Sequence, residues 1–575
     1  MAELRRLLIA NRGEIAVRIV RACRESDIAP VLAVAPGEQM SLAAELADAT
    51  VAVASYLDAG AIVRAALEAG ADAVHPGYGF LAEDPVFAEL VLEAGLVWVG
   101  PPPEAMRALG DKVAARAVAE AAGVPVVQGS AGEGLSDDAL IEEAARLGPP
   151  LLVKAAAGGG GRGMRTVEDL AGLAGALAAA REEAAASFGD ERVFLERRLE
   201  KVHHVEVQVL LDDHGTSVHL GERDCSLQRR HQKIVEESPS PAVDGNLRAD
   251  LGAAAIAIAE RAGYRGAGTA EFLLGDDGEW WFLEMNARLQ VEHPVTEAVA
   301  GVDLVRTQLA IAAGSHLPFS QADVSLRGHA IETRLYAEDP ANGFLPSGGR
   351  VDLLDLPRWP GVRIDTALRE GDVVGLGYDP LLAKVVAWAE DRPTAITRLR
   401  AALEEVKIVG LATNLGFLLD VLEQPEFRDG TAGTAWVETA WTPQVPELPG
   451  GALAGRDRSD PWIAFGASPD ATRGVTTAGS HAQFRGWSYS LADDEVAAEL
   501  APPGGSLLAP MPASVLRVEV APGDTVAAGQ VVALLEAMKI QVQVVAPAAG
   551  TVSAVHVVAG AVVARGDVLI EVQEP

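Results

Sequence analysis

The sequence predicts an α/β chain that closes with a small, separate all-β domain. Three observations carry this. Short apolar runs alternate with helical patterns over residues 1–110, a glycine run follows a strand at 151–154, and a 37-residue repeat fills residues 506–575.

In the first region Leu7-Leu8-Ile9-Ala10 is a strand, and Glu14 to Glu25 is a helix with apolar positions Ile15, Ile19 and Ala22. Val31–Val34, Val51–Val53, Ala73–Val74 and Val97–Val99 are further strands. Strands separated by helices imply a parallel, doubly wound sheet. Residues 111–330 mix α and β, and residues 330–440 hold short strands and a helix from Pro393 to Val406. Residues 440–505 are rich in Pro, Gly, Ser and Asp and weakly periodic. They read as a linker or reduced domain, closed by Pro502-Pro503-Gly504-Gly505.

The last segment is a duplication. Val515, Val518, Val520, Gly523, Val526, Gly529 and Val532 recur 37 positions on as Val552, Val555, Val557, Gly560, Val563, Gly566 and Leu569. Apolar residues at strand spacing with glycines at turns predict two halves sharing one core, a flattened barrel with pseudo-twofold symmetry.

The bulk properties exclude several classes. With 47 basic and 81 acidic residues the net charge is −34, so the basic footprint of a nucleic-acid binder is missing. Cys23 and Cys225 form neither a disulfide framework nor a zinc pattern, which fits a reducing compartment. The apolar run near the N-terminus is too short for a signal peptide, and no run approaches the roughly 18 residues of a membrane span. The expectation is a soluble, cytoplasmic protein with no nucleic-acid or membrane partner.

Five motifs carry chemistry, each with a plainer alternative. Strands flanking Ala537-Met538-Lys539 put Lys539 at a hairpin tip. Position alone is better explained by a solvated turn lysine. In the glycine run Gly158–Gly163, backbone N–H groups can close on phosphate, with Lys154 as a point charge. It is not a Walker A loop, and a flexible loop explains it equally. Glu271 and Glu284 lie in strands joined by the turn Gly275-Asp276-Asp277-Gly278. Facing carboxylates repel unless a cation lies between them, which suits Mg²⁺ or Mn²⁺; two solvent-facing residues are the alternative. Arg288, Gln290 and Glu292 share one face at period 2. They could hold a small anion and take its proton, or form a salt-bridged surface strand. Within 222–233, Arg229, Arg230, His231 and Lys233 are a rare basic cluster in an acidic chain. That suits a polyanion, or a solvated face.

Two resemblances bind these motifs together. Glu536-Ala537-Met538-Lys539, with Ala509-Pro510-Met511-Pro512, Ala546-Pro547 and Gly550, resembles the attachment site of biotin carboxyl carrier domains over all of 506–575. Ile540 and Gln541 depart from the commoner Met and Glu. Lipoyl domains share the barrel but usually lack this tip. Residues 1–440 resemble biotin carboxylase, an ATP-grasp ligase. The matching stretches are Leu8 to Ala16, His75 to Leu81, Gly110-Asp111-Lys112, the glycine loop, 222–233, Glu284 to Glu297, and Gly328 to Glu332.

The resemblance implies a preATP-grasp domain at 1–111, an ATP-grasp domain at 112–327 and a biotin carboxylase C-terminal domain at 328–440. A linker or reduced subunit-docking segment at 441–505 and a biotinyl domain at 506–575 would follow. It assigns Lys112, Lys154, His204, Gln228 and His231 to ATP phosphates and ribose, Glu196 and Leu199 to the adenine border, and Gly160 and Gly161 to a lid. Glu271, Glu284 and Asn286 would coordinate two Mg²⁺ ions, with Mn²⁺ as a substitute. Lys233, Arg288, Gln290 and Val291 would hold bicarbonate, Glu292 would deprotonate it, and Arg334 would stabilise the enolate form of biotin. Biotin would be covalently bound to Lys539. The departures are Ala157 for a lid glycine, Arg198 beside adenine, and Glu83-Asp84 for Glu-Asn.

The implied chemistry is ATP-dependent phosphorylation of bicarbonate, then carboxylation of biotin. No stretch beyond 440 is long enough for a carboxyltransferase. The implied partners are therefore a carboxyltransferase β subunit and a biotin protein ligase. The chain would form a homo-oligomer within a larger hetero-oligomeric acyl-CoA carboxylase. A pyruvate or urea carboxylase subunit, a carrier with a dead ligase, and a lipoyl carrier are the alternatives.

Overall fold

The computed structural model describes residues 3–130, 134–156, 164–375, 377–447, 475–478, 481–490, 506–510, 513–537, 540–563 and 566–573. The first domain is a five-stranded parallel sheet in the order Ala49–Ala52, Ala29–Val34, Arg6–Ile9, Ala73–His75, Val97–Trp98. The helix Gly13–Glu25 follows the first strand, as its apolar period requires, and buries Ile15, Ile19 and Ala22. The expected strands are all present within a residue or two.

An eight-stranded sheet forms the centre of the molecule. Its order is Trp280–Asn286, Gly266–Gly275, Val202–Leu211, Ser217–Arg229, Gln232–Ser238, His329–Tyr336, Leu381–Ala389, Val362–Thr366. Every pairing is antiparallel. The sheet is therefore continuous across residue 328, because Gln232–Ser238 pairs with His329–Tyr336. A smaller sheet of Arg165–Val167, Leu151–Ala155 and Val193–Arg197 stands apart. The late helix runs Arg392–Glu405, capped by Asp391 with Pro393 in its first turn.

One expectation needs correction. Arg288 to Glu292 do not continue a strand. The strand ends at Asn286, and Glu292 is the N-cap of the helix His293–Ala300. Pro294 fits the first helical turn and has no N–H for a ladder. Residues 440–505 also hold regular structure. Val475–Ala478, His481–Phe484 and Trp487–Ser490 form an antiparallel meander. Its second turn is Arg485-Gly486, both at positive φ (50° and 80°). An arginine in that conformation is no recognisable turn signal. The meander is clamped to the preceding domain. The Gln483 amide accepts from Ile408 N–H at 2.9 Å and donates to the Val406 carbonyl at 2.8 Å. Trp487 packs on Gly416, where a Cβ would lie 2.6 Å from the indole.

The last domain is the predicted barrel, two four-stranded sheets around Val515, Val526, Val532, Val552, Val563 and Leu569. The repeat extends to backbone geometry. Gly523 and Gly560 have φ of 98° and 85°, and Gly529 and Gly566 have 79° and 88°. At such φ only glycine avoids Cβ strain. The strands Val531–Ala537 and Ile540–Val545 pair up to Ala537 opposite Ile540. Met538 and Lys539 lie outside the described residues, as do Ala157, Gly160 and Gly161. Among the described residues no helix is long and apolar enough to cross a membrane.

Candidate active site

Adjacent strands of the central sheet deliver a buried charged cluster. Lys233 is its hub. Its ammonium donates to Glu271 at 2.8 Å and Glu292 at 2.7 Å, and also to Glu206. Arg334 reaches Glu292 Oε2 at 3.0 Å and is paired with Glu236. Arg223, fully buried, ties Glu206 at 2.5 Å to Gln208 and Thr296, both at 2.9 Å. His204 Nε2 lies 2.7 Å from Glu271 Oε2.

The loop after Asn286 completes this face. Asn286 donates to Glu271 at 2.8 Å and Gln290 donates to it at 3.2 Å. Arg288 is fixed by Gln290 and Asn286, both at 3.1 Å, and by Glu83 at 2.9 Å. His204, Lys233, Glu271, Asn286, Arg288, Gln290, Glu292 and Arg334 thus form one connected network, although the period-2 argument for three of them fails. Glu83 is a partner of Arg288, and Asp84, one of the departures, caps the helix Pro85–Glu93.

The remaining residues lie partly on the small sheet and partly on the central one. Lys112 pairs with Glu284 at 2.9 Å, and Lys154 pairs with Glu196. Gln228 is buried, opposite Lys233 in register. Leu199 is half-buried, and His231 is exposed at a turn with φ of 64°. The Val291 carbonyl accepts from Lys384 at 2.8 Å.

The electrostatics follow from burial. Burial pushes the Glu271 carboxyl up, but Lys233 and His204 overcome it and hold it well below the ordinary range. Burial likewise raises Glu292, and Lys233, Arg334 and Arg223 hold it down. Burial disfavours the Lys233 ammonium, yet Glu206, Glu271 and Glu292 keep it firmly protonated. Such a cluster is stable only with every charge paired.

The donor set suits a hard divalent cation. Glu271 and Glu284 are direct register partners across their antiparallel strands. Like charges so placed are unfavourable, and here Lys233, His204 and Lys112 offset them. Carboxylate and amide oxygens from Glu271, Glu284 and Asn286 match what Mg²⁺ takes.

Sequence reasoning assigned no role to Glu206, Arg223, Glu236 or Lys384. Glu206 had a signal: His204, Glu206 and Gln208 alternate with valines along a strand whose other polar residue is His203. Lys384 had one too, as the only charge in Leu381–Ala389. Arg223 and Glu236 sit in polar stretches where no pattern separates them from surface charges.

Comparison with known proteins converges on one family. Residues 3–106 match the family described as "Biotin carboxylase, N-terminal domain" and 332–439 match "Biotin carboxylase C-terminal domain". Residues 111–320 match "Carbamoyl-phosphate synthase L chain, ATP binding domain", and 505–572 match "Biotin-requiring enzyme". A biotin carboxylase of Nostoc sp. is 46% identical over 439 residues, covering 75% of this chain and 98% of the relative. The mitochondrial methylcrotonoyl-CoA carboxylase subunit alpha of Rattus norvegicus is 45% identical over 439 residues. That match covers 75% of this chain and 61% of the relative. Among solved structures, the biotin carboxylase domain of Hydrogenobacter thermophilus 2-oxoglutarate carboxylase, in complex with MgADP, ADP and bicarbonate, superposes with a TM-score of 0.75 at 41% identity. It covers 76% of this chain and 98% of that one. Biotin carboxylase from Campylobacter jejuni gives 0.74 at 41% identity, over 76% and 99%. With nearly the whole of the Nostoc relative covered, the chain belongs to the biotin carboxylases, with a biotin/lipoyl-type domain after the ligase.

Proposed function

We propose that this chain uses ATP and bicarbonate to carboxylate biotin carried on its own Lys539, and passes the carboxyl group to a separate carboxyltransferase subunit acting on an acyl-CoA. The observation that carries it is the convergence of Lys233, Arg334 and Glu292 on one buried point beside Glu271. The domain limits are those set out above, with 441–505 as a subunit-docking segment. The methylcrotonoyl-CoA carboxylase relatives favour an acyl-CoA acceptor over pyruvate or urea.

The residue roles follow from charge and reach. Lys112, Lys154, His204, Gln228 and His231, with Glu196, Leu199, Gly160 and Gly161, hold ATP. Lys112 and Lys154 are paired with carboxylates, so nucleotide phosphate takes over cations already aimed at the site. Glu271, Glu284 and Asn286 hold Mg²⁺, which offsets phosphate charge during transfer. Lys233, Arg288, Gln290 and Val291 hold bicarbonate, and Glu292 accepts its proton. A carboxylate held far below neutrality is a weak base. Bicarbonate must therefore draw Lys233 away from Glu292, which raises the basicity of Glu292 only when substrate is present. Bicarbonate oxygen then attacks the γ-phosphorus of ATP, giving carboxyphosphate and ADP. Carboxyphosphate then breaks down to CO₂ and phosphate, the phosphate takes the proton from the ureido nitrogen of biotin, and that nitrogen takes the CO₂ while Arg334 holds the charge on the ureido oxygen. Enclosure matters because carboxyphosphate hydrolyses in water.

A biotin protein ligase loads Lys539. Both cysteines are buried and unpaired, in keeping with a reducing cytoplasm, where the chain works as a homo-oligomer within the larger carboxylase. The test has two parts. Purified full-length chain should cleave ATP only with bicarbonate present, faster when free biotin is added, and its intact mass should show biotin rather than lipoate. Capture through that biotin should bring down a carboxyltransferase subunit. Bicarbonate-independent hydrolysis, or capture without a carboxyltransferase, would overturn the proposal.

A further inference from the structure

Lys384 has no part in the roles above, yet it touches their most sensitive point. Its side chain is fully shielded from solvent. Its ammonium donates to the Val291 carbonyl at 2.8 Å and lies 3.2 Å from Glu14 and 3.8 Å from Asp365. In register, Lys384 stands opposite Arg334 on one side and Asp365 on the other. Residues opposite one another in a sheet project to the same face. Neighbouring strand positions therefore grip consecutive residues: Lys384 the Val291 carbonyl, Arg334 the Glu292 carboxylate.

The loop they grip has no sheet ladder of its own. Side chains reach its carbonyls: Leu289 by Arg288 at 3.3 Å, Gln290 by the His293 ring at 2.7 Å alongside the His293 N–H at 3.4 Å, and Val291 by Lys384. Of these three donors only Lys384 comes from outside the loop and the helix that follows it. Glu14, its other partner, also takes the Tyr78 hydroxyl. One ammonium thus joins the N-terminal domain, the loop and the C-terminal strand. A buried ammonium is costly, and an apolar residue would suit this strand at less cost.

We propose that Lys384 is a positioning residue that sets the Val291–Glu292 segment at the distance bicarbonate requires. This rests on the assignment of bicarbonate to Val291 and Glu292. The test compares Lys384→Met, Lys384→Met with Glu14→Gln, and Glu292→Gln in the full-length chain, measuring ATP cleavage with free biotin. Misplacing a reacting group by about 1 Å is expensive, so kcat/KM for bicarbonate should fall on the order of 10- to 100-fold in Lys384→Met, with KM for ATP within about twofold. The double variant removes the carboxylate charge left unpaired at Glu14. It should recover thermal stability without recovering kcat/KM for bicarbonate, and it carries the test if Lys384→Met alone does not fold. Recovery of both, or an unchanged kcat/KM for bicarbonate in a folded variant, would show a merely structural lysine and overturn the proposal. If Glu292→Gln keeps full activity, it is the bicarbonate assignment itself that fails.

Discussion

Arg223, Lys384, Glu206, Glu236, Glu292 and Glu332 are each almost wholly shielded from solvent in the ligase, whereas among the described residues of 506–573 no polar or charged side chain is buried. The ligase core holds a network in which each charge depends on the next. The barrel is a small apolar core of valines, leucines, isoleucine and alanines. The difference teaches where each function resides. In the ligase, chemistry and internal packing are the same residues, so a site mutation is also a packing mutation. In the barrel the described core is apolar, and the proposed attachment residue, Lys539, comes after the last paired residue of its strand, Ala537, in sequence.

The sharpest break between the two comes from one substitution in each. Lys539→Ala should abolish acyl-CoA carboxylation with the partner subunit while free-biotin turnover stays at the wild-type rate. Glu292→Gln should lower both by roughly 10²- to 10⁴-fold, the usual contribution of a positioned base. Steady-state assays with free biotin and with acyl-CoA decide it. If Lys539→Ala also slowed the free-biotin reaction, the barrel would be contributing to the ligase site, and the separation drawn here would be wrong.

How much of this was legible differs along the same line. The barrel could be read almost whole, because Val515 and Val552, or Gly523 and Gly560, repeat at a fixed offset and each has a local reason to be there. The parallel sheet was legible from its apolar runs. The ligase site was legible only where strands carried it. Glu271 and Glu284 follow from two strands and a turn. Arg288, Gln290 and Glu292 belong together, but in a loop held by side chains from 42 to 93 residues away. Sequence period could not show Lys384 reaching Val291 or Arg334 reaching Glu292. The meander at 475–490 was missed for a third reason: four-residue strands give little alternation, and its Arg485-Gly486 turn uses a residue that rarely takes that φ.

Destabilisation should also respect the boundary. Val532 is fully buried in the barrel, the repeat partner of Leu569. Val532→Ala removes two methyl groups, costing about 2 kcal/mol at a site that cannot collapse. For a domain this small that lowers the melting temperature by on the order of 10 °C. Calorimetry of the full chain should show the barrel transition shift while the ligase transition and free-biotin turnover hold. A joint shift of both transitions would mean the two regions unfold as one unit.

The smallest effect tests whether the pH dependence of stability resides in the ligase. Asp420, at the end of the helix Leu415–Val421, has a carboxylate oxygen buried without a hydrogen-bond partner. Burial, with Glu423 adding to it, pushes its pKa from an ordinary 3.8 to about 6. Between those values the folded chain keeps a proton that the unfolded chain has released. Stability from this group therefore falls as pH rises from about 4 to about 6, and stays lower above that. Asp420→Asn removes the charge and keeps the shape. The group is partly exposed and solvent screens it, so the gain at pH 8 should be modest, on the order of 2 °C in the ligase transition. At pH 4 the variant should match wild type, and at both pH values the barrel transition should not move. An equal gain at pH 4 and pH 8 would trace the effect to packing rather than to the carboxylate, and a shift in the barrel transition would place the charge sensitivity on both sides of the boundary.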